Sequence, residues 1–469
     1  MAREVKDARS EQTVGIILAA GEGKRMQSDR PKVLHEAGGL PLLDWVLRAF
    51  TEAGISNVVC VVGSGADTIR AKYEDLSFAY QAERLGSGHA VMQALPQLTG
   101  PGYTFIAAGD MPLLRGSTIR AMISEAEDQH IDCVLLTAEL EDPTGYGRII
   151  RGDDGNVEMI VEHRDATGEQ QRVREVNASC YCIRTELLRE LLPKLETGNA
   201  QGEYYLTDIV RLINEWGGTV GTHTAPWEEC LGVNDRVQLA EASHLLYSRT
   251  CDSLMRSGVT IMDPACTYID PETTIGRDTI VYPGVTLEAG CEIGSQAVLY
   301  PGSRFHHSKV GDRTEVQNSV LLESEVGPDS RIGPYAYLRP GAKVGSHCRI
   351  GDFVELKNCS IGDGTKVSHL TYIGDADFGR DINVGCGVVV VNYDGHDKFR
   401  STVHDDAFIG CNTNLISPVE VGRGAYIAAG TTVTEDVPED VLAIGRSRQT
   451  VIPDWQDKRR KDKSSRTPT

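Results

Sequence analysis

Positive charge is what this 469-residue chain is short of. Its 67 acidic side chains against 47 basic ones leave a formal net charge of −20 at pH 7. A field of that sign repels nucleic acid and anionic membrane surfaces and excludes both as main partners. Any anionic ligand must then be held locally, by single cations, backbone N–H groups or a metal. No segment approaches the ~20 apolar residues that cross a bilayer, and the opening MAREVKDARSEQ has no apolar run of the kind a secretory leader carries. The twelve cysteines are scattered and form no Cys-x-x-Cys pair, which excludes a zinc ribbon and a disulfide framework. Reduced thiols and a cytoplasmic setting are therefore expected. Aromatic residues make up only 6% of the chain, so large ring clusters do not organise its cores.

Glycine is abundant, with 49 residues, and its distribution divides the chain near residue 260. Before that point short apolar runs alternate with helix-like stretches. Val14–Ala20, Asn57–Val62, Thr104–Ala108 and Cys133–Thr137 read as strands, and Pro41–Ala53 as a helix stopped by Gly54. Such alternation predicts a parallel, doubly wound α/β sheet, whose ligands sit beyond the carboxyl ends of the strands. Gly21-Glu22-Gly23-Lys24-Arg25 and Asp110 both fall at such ends. Arg236–Met255, free of Gly and Pro, reads as a connecting helix.

After residue 260 the period is six. Ile269, Ile275, Val281, Leu287, Ile293 and Leu299 form one run, Val326 to Leu356 a second, and Val403 to Val433 a third. Many of these aliphatic residues precede a glycine, as in Ile275-Gly276, Val326-Gly327 and Ile409-Gly410. A period of six fits neither a helix nor a flat sheet. It predicts a parallel β-helix with one inward aliphatic side chain per short strand, and glycine is expected to supply the corner conformations. Asn392–Ser401 interrupts the register as a polar loop on one face. The expected organisation is an unstructured extension over 1–12, an α/β domain over 13–235, a linker helix over 236–258, a β-helix over 259–455 and a basic unstructured tail over 456–469.

Taken singly, the chemical residues leave alternatives open. Leu18–Met26 (LAAGEGKRM) is a Gly-rich loop with two cations. It suits a phosphate cradle and an ordinary strand–helix turn equally, and it matches neither the Walker pattern nor Gly-x-Gly-x-x-Gly. Asp110, with Pro112 after it, fits a helix N-cap as well as a metal ligand. A histidine inside a solenoid, such as His369, is by itself an ordinary solvated residue.

The ordered set LAAGEGKRMQSDRPKVLH, QAERLGSGHA, GDMPLL, TGYGRII, VEHRDAT, NAQGEYYLTD and GVND resembles the sugar-nucleotide pyrophosphorylases. With a β-helix behind it, Val14 to Arg446 resembles the bifunctional family that acetylates glucosamine 1-phosphate and then uridylylates the product. The resemblance implies an α/β Rossmann-like nucleotidyltransferase domain followed by a left-handed parallel β-helix of hexapeptide repeats. It implies synthesis of UDP-N-acetylglucosamine, a precursor of peptidoglycan and lipopolysaccharide, from UTP, glucosamine 1-phosphate and acetyl-CoA, by way of N-acetylglucosamine 1-phosphate. Mg²⁺ and a homotrimer with sites between subunits are implied as well.

Residue by residue, Arg25 and Lys32 match the cations that hold triphosphate and transition-state charge, and Asp110 and Asn234 the Mg²⁺ ligands. Leu18, Ala19, Ala20, Gly21, Gln81, Gly86 and Ser87 match the nucleotide pocket, and Gly147, Glu162 and Asn177 the amino-sugar pocket. In the second half SHLTYIGD makes His369 the implied base, with Asn392 orienting it or holding the reacting centre. Arg339, Lys357, Tyr372 and Asn383 match sugar-phosphate contacts. Cys386, Asn392, Tyr393, Lys398, Cys411, Ala429 and Arg446 match acetyl-CoA contacts. Ala108 stands where Tyr is common, Ser87 where Thr is, Cys386 where Ala is and Cys411 where Ser is. Two alternatives stand beside this reading: a pyrophosphorylase whose β-helix only oligomerises or regulates, and a non-enzymatic scaffold.

Overall fold

The structure, a computed structural model, describes residues 13–464, so the expected 1–12 extension lies outside the described residues, as do residues 465–469. The chain forms two units, 1–250 and 251–469, divided inside a long helix.

The first unit runs β1 (Val14–Ala19), β2 (Glu36–Ala37), β3 (Leu40–Pro41), α1 (Leu42–Glu52), β4 (Asn57–Val62), α2 (Ala66–Lys72), β5 (Ser77–Tyr80), α3 (Ser87–Ala94), β6 (Tyr103–Ala108), α4 (Gly116–Asp128), β7 (Cys133–Glu139), β8 (Arg148–Arg151), β9 (Val157–Val161), β10 (Glu175–Arg184), α5 (Thr185–Leu191), α6 (Ile209–Trp216), β11 (Val220–Thr224) and α7 (Arg236–Arg256). The main sheet is ordered β11-β7-β10-β6-β1-β4-β5. β6, β1, β4 and β5 are mutually parallel. Their near-continuous apolar runs are what a strand covered on both faces requires, and Ile16, Ile17, Ile106 and Val61 are fully buried.

The expectation of an all-parallel sheet needs one correction. β10 runs antiparallel between β6 and β7, and β8 and β9 form an antiparallel hairpin off it. The segment around Cys180 and Cys182 reads as a strand in the sequence, but nothing local in Glu175–Arg184 sets its antiparallel direction. It also carries a register shift between Asn177 and Tyr181, with Ser179 left-handed at φ 56°. α7 is more than a linker. Ala242 and Leu246 are buried with Leu42 and Leu113 of the first unit, while Cys251 joins the core of the second.

The second unit is three parallel sheets of eleven, ten and nine strands, each joining every third strand of the chain except at the last step of the largest. This is the left-handed parallel β-helix of hexapeptide repeats. Every residue of the six-step series packs in one core, Ile275 partly and the rest fully. Burying each such side chain contributes about 1.5–3 kcal/mol.

Several glycines supply left-handed corners as expected, among them Gly284 (φ 77°), Gly302 (φ 73°), Gly364 (φ 72°) and Gly430 (φ 72°), but those that follow the inward aliphatic residues mostly serve a different purpose. Gly276, Gly327 and Gly410 do not take the left-handed conformation. A Cβ there would lie 2.5 Å from Ser295 N, 2.7 Å from Gly345 C and 2.5 Å from Ala429 N respectively, so the absent side chain lets successive coils approach. The left-handed corner comes two residues later, at Asp278 (φ 62°), Asp329 (φ 57°) and Asn412 (φ 54°). Short polar side chains tolerate that region.

The tail also differs from expectation. Trp455–Ser464 is helical, which follows from its run of good helix formers and the Asp457–Arg460 pair one turn apart. No helix among the described residues is long and apolar enough to cross a membrane.

Candidate functional sites

β1 and β6 are parallel neighbours with Leu18 opposite Ala108, so the loops after them leave the sheet side by side. The backbone bond from Gly109 N to Leu18 O (2.9 Å) fixes that edge. A cavity of about 300 Å³ opens there, and its walls include Leu18, Ala19, Ala20, Gly21, Lys32, Gln81, Gly86, Ser87 and Asp110. Lys32 Nζ pairs with Asp110 and donates to Asn234 Oδ1 at 3.2 Å. The structure thus brings together residues separated by about two hundred positions in the chain.

Arg25 is not among the cavity walls. It is exposed on the single turn Lys24–Met26, where Met26 is the residue that buries. Sequence reasoning passed over Glu22 and Arg84. Glu22 pairs with Lys24 at 3.1 Å and with Arg84, which itself lines the cavity, so the loop and the segment after Gln81 are tied. These cations hold the Glu22 carboxyl below its ordinary range, Lys24 contributing most.

The segment expected to read the base is built against residues 204–206. Gly88 N donates to Tyr204 O (2.8 Å), Tyr204 N to Leu85 O (2.7 Å) and Leu206 N to Ser87 Oγ (3.0 Å). Buried Gln81 donates to Gly86 O at 3.1 Å. Gly86 has φ 109°, and a Cβ there would meet Tyr204 O at 2.5 Å. Gly86→Ala is therefore expected to cost about 1–3 kcal/mol of stability through backbone strain and to raise the KM for the nucleotide. Thermal melting and initial rates check this, and an unchanged KM would contradict it.

Gly147, Glu162 and Asn177 lie close together. The Gly147 Cβ position lies 3.7 Å from Glu162 Oε1 and 3.8 Å from Asn177 Cβ. Asn177 donates to Tyr181 Oη (2.8 Å) across the β10 irregularity. Thr207, of the NAQGEYYLTD motif, donates to Glu162 Oε1 (3.2 Å), a pairing that the motif alone did not show. Glu162 also lines a cavity of about 280 Å³ with Asp165, Tyr205 and Thr207. Burial pushes its carboxyl above the ordinary range.

On the β-helix the organising residue is Asp375, the last of SHLTYIGD. It accepts from Asn358 (2.6 Å) and Asn392 (2.5 Å) and lies 3.9 Å from Lys357 Nζ. Arg339 pairs with Glu355 at 2.8 Å. Lys398, expected with the acetyl-CoA contacts, faces Lys357 and is the main cause that lowers that ammonium's pKa, Arg339 adding to it. The cause is local: a bridge between Tyr393 and Lys398 folds the 392–401 loop back on itself. Three cations therefore share one neighbourhood around Asp375, as a phosphate ligand requires in an acidic protein.

Asn392 bonds to Asp375 and, at 3.5 Å, to Tyr372 Oη, while the hydrogen-bond partner of the His369 ring is Asp352. Orientation of His369 by Asn392 is thus not what the geometry shows. Cys386, Cys411 and Ala429 follow one another on successive coils. Asn412 N donates to Cys386 O and Gly430 N to Cys411 O, both at 2.8 Å, and Arg446 donates to Ala429 O. Cys386 is half-buried and Cys411 exposed. Asn383 is exposed, in register between Lys366 and Phe408.

Residues 15–205 match the MobA-like NTP transferase domain family, and residues 323–358 and 400–435 match the bacterial transferase hexapeptide (six repeats) family. The chain is 49% identical to the bifunctional protein GlmU of Acetivibrio thermocellus, over 94% of this chain and 96% of that one. It is 46% identical to the bifunctional protein GlmU of Geobacillus thermodenitrificans, over 96% and 99%. It is 48% identical to that of Halalkalibacterium halodurans, over 93% and 96%.

Proposed function

The chain belongs to the bifunctional GlmU family, and from that premise we propose which of its residues carry each of the two reactions. The protein is a glucosamine-1-phosphate acetyltransferase and an N-acetylglucosamine-1-phosphate uridylyltransferase that makes UDP-N-acetylglucosamine and pyrophosphate. The observation that carries the site assignment is the convergence of Lys32, Asp110 and Asn234 where β1 and β6 end.

In the first unit a sugar phosphate oxygen attacks the α-phosphorus of UTP and pyrophosphate leaves. Catalysis of such a step is positioning and charge neutralisation. The chain supplies backbone N–H groups of the Ala20–Gly23 loop and the ammonium of Lys32 for the phosphates. Gln81, Gly86 and Ser87 lie against the base, and Gly147, Glu162 and Asn177 against the amino sugar. Arg25, on the exposed turn that follows this loop, supplies a further cation for the triphosphate.

Asp110 and Asn234 would hold Mg²⁺. Both present a hard oxygen to a position already taken by the positive charge of Lys32, and Mg²⁺ uses one or two protein oxygens together with phosphates and water. When bound, that ion neutralises phosphate charge. EDTA is accordingly expected to abolish pyrophosphate release and to leave acetyl transfer unchanged. Uridylyl transfer that survives chelation would contradict the assignment.

In the second unit His369 takes the proton of the substrate ammonium as the amine attacks the thioester carbonyl. Arg339, Lys357 and Lys398 hold the phosphate, and Tyr372, Asn383 and Asn392 the sugar. Tyr393, Cys386, Cys411, Ala429 and Arg446 face acetyl-CoA, the two thiols being only weak donors there. A purely oligomerising solenoid has no need of three cations gathered around one buried carboxylate, which favours the bifunctional reading over that alternative. We further propose a homotrimer, supported by the half-exposed His369, which a second copy would enclose. A cytoplasmic location is supported by the substrates and by twelve free thiols.

A further inference from the structure

Asp352 and His369 are Cα partners in the parallel ladder between the strands Arg349–Asp352 and Lys366–His369. Their pairing is therefore set by the stacking of two coils and not by a flexible loop. Asp352 Oδ1 lies 2.6 Å from His369 Nδ1. The neighbouring residues keep that approach. Gly351 has no room for a side chain, since a Cβ there would meet Ser368 O at 2.0 Å. Phe353 (φ 56°) and Leu370 (φ 47°) turn the two coils through the same left-handed corner immediately afterwards. The main chain of His369 is held in turn, its carbonyl accepting from Thr371 Oγ1 at 2.8 Å.

We propose that Asp352 is a positioning residue for acetyl transfer, fixing the His369 imidazole with its proton on Nδ1 and its lone pair on Nε2. The inference rests on the reading of His369 as the base. An ionised carboxylate can only accept hydrogen bonds, so the proton shared with Nδ1 must belong to the ring. The hydrogen bond from His369, with the charge of Arg349 in support, holds the Asp352 carboxyl below its ordinary range and keeps it ionised. Nε2 is left as the only ring nitrogen able to take a proton from the substrate ammonium. In the step, the amine forms its bond to the thioester carbonyl carbon and its proton passes to Nε2; the C–S bond then breaks and the departing sulfur takes that proton back from the imidazolium, so coenzyme A leaves as the thiol. The imidazolium formed is stabilised by the same carboxylate. Nothing in the sequence marks Asp352, which lies in the ordinary repeat RIGDFVEL.

The test compares Asp352→Asn with His369→Ala in the full-length protein, with uridylyl turnover as the control for folding. Asparagine keeps the shape but can turn its amide to donate, which drives the ring proton to Nε2. The expected result is a loss in acetyl-transfer kcat of about tenfold or more, the scale on which acid–base groups contribute. KM values should stay close to wild type, and Asp352→Glu should recover part of the rate. In ¹⁵N-histidine-labelled wild-type protein the neutral His369 ring should be protonated on Nδ1. An unchanged kcat in Asp352→Asn, a change confined to KM, or a wild-type ring protonated on Nε2 would each overturn the proposal. Should Asp352→Asn fold poorly, the wild-type spectrum decides. If His369→Ala keeps the wild-type rate, the assignment of the base itself falls. If that variant is inactive while Asp352→Asn is unaffected, only the role of Asp352 is lost.

Discussion

Lys32→Ala is expected to lower uridylyl transfer by about 10²–10³-fold, the cost of removing one preorganised donor from a site where charge develops, and to leave acetyl transfer at the wild-type rate. Lys32 is mostly enclosed, with 14% of its side chain exposed, and its ammonium sits on Asp110 and Asn234. Removing it takes a cation from the phosphate path and leaves Asp110 without its counter-charge. Steady-state rates of pyrophosphate release and of thiol release, measured on one preparation, check both halves of the expectation. A variant that kept uridylyl transfer within a few-fold of wild type would remove Lys32 from the chemistry. One that lost both activities while folded would contradict separate sites.

His369→Ala is expected to do the reverse. General acid–base groups contribute about 10²–10⁴-fold, so acetyl transfer should fall on that scale while uridylyl transfer from supplied N-acetylglucosamine 1-phosphate continues. Little folding cost is expected, because about half of the side chain is exposed. Retained acetyl transfer would leave the β-helix without an identified base and would revive the reading of it as a structural solenoid.

The parts legible in the sequence were those written in local patterns. The six-step aliphatic series specified the β-helix core, because each inward position needs the same kind of side chain. Leu18–Gly21 and Asp110 could be placed at one sheet edge because strand ends are marked by the change from apolar to Gly-rich sequence. What stayed hidden depended on pairing across the fold. The strand around Cys180 and Cys182 was visible, but its antiparallel place between β6 and β7 depends on its neighbours. Asp352 meets His369 only because coils stack in register, and Thr207 meets Glu162 across 45 residues. The glycines were visible, yet their reason was not. At Gly276, Gly327 and Gly410 close contact between successive coils excludes a Cβ, whereas Gly284, Gly302 and Gly364 do supply left-handed corners. Arg25 and Lys398 show the same limit from the other side. Their motifs were recognisable, but the direction each loop takes is set by Met26 burying at one and by the Tyr393–Lys398 bridge at the other.

The central claim is that one chain carries both reactions on two units. It is tested most directly by incubating the protein with glucosamine 1-phosphate, acetyl-CoA, UTP and Mg²⁺ and following products by mass spectrometry. The account predicts that N-acetylglucosamine 1-phosphate appears first and UDP-N-acetylglucosamine after it. Formation of the nucleotide sugar only when N-acetylglucosamine 1-phosphate is supplied would contradict it.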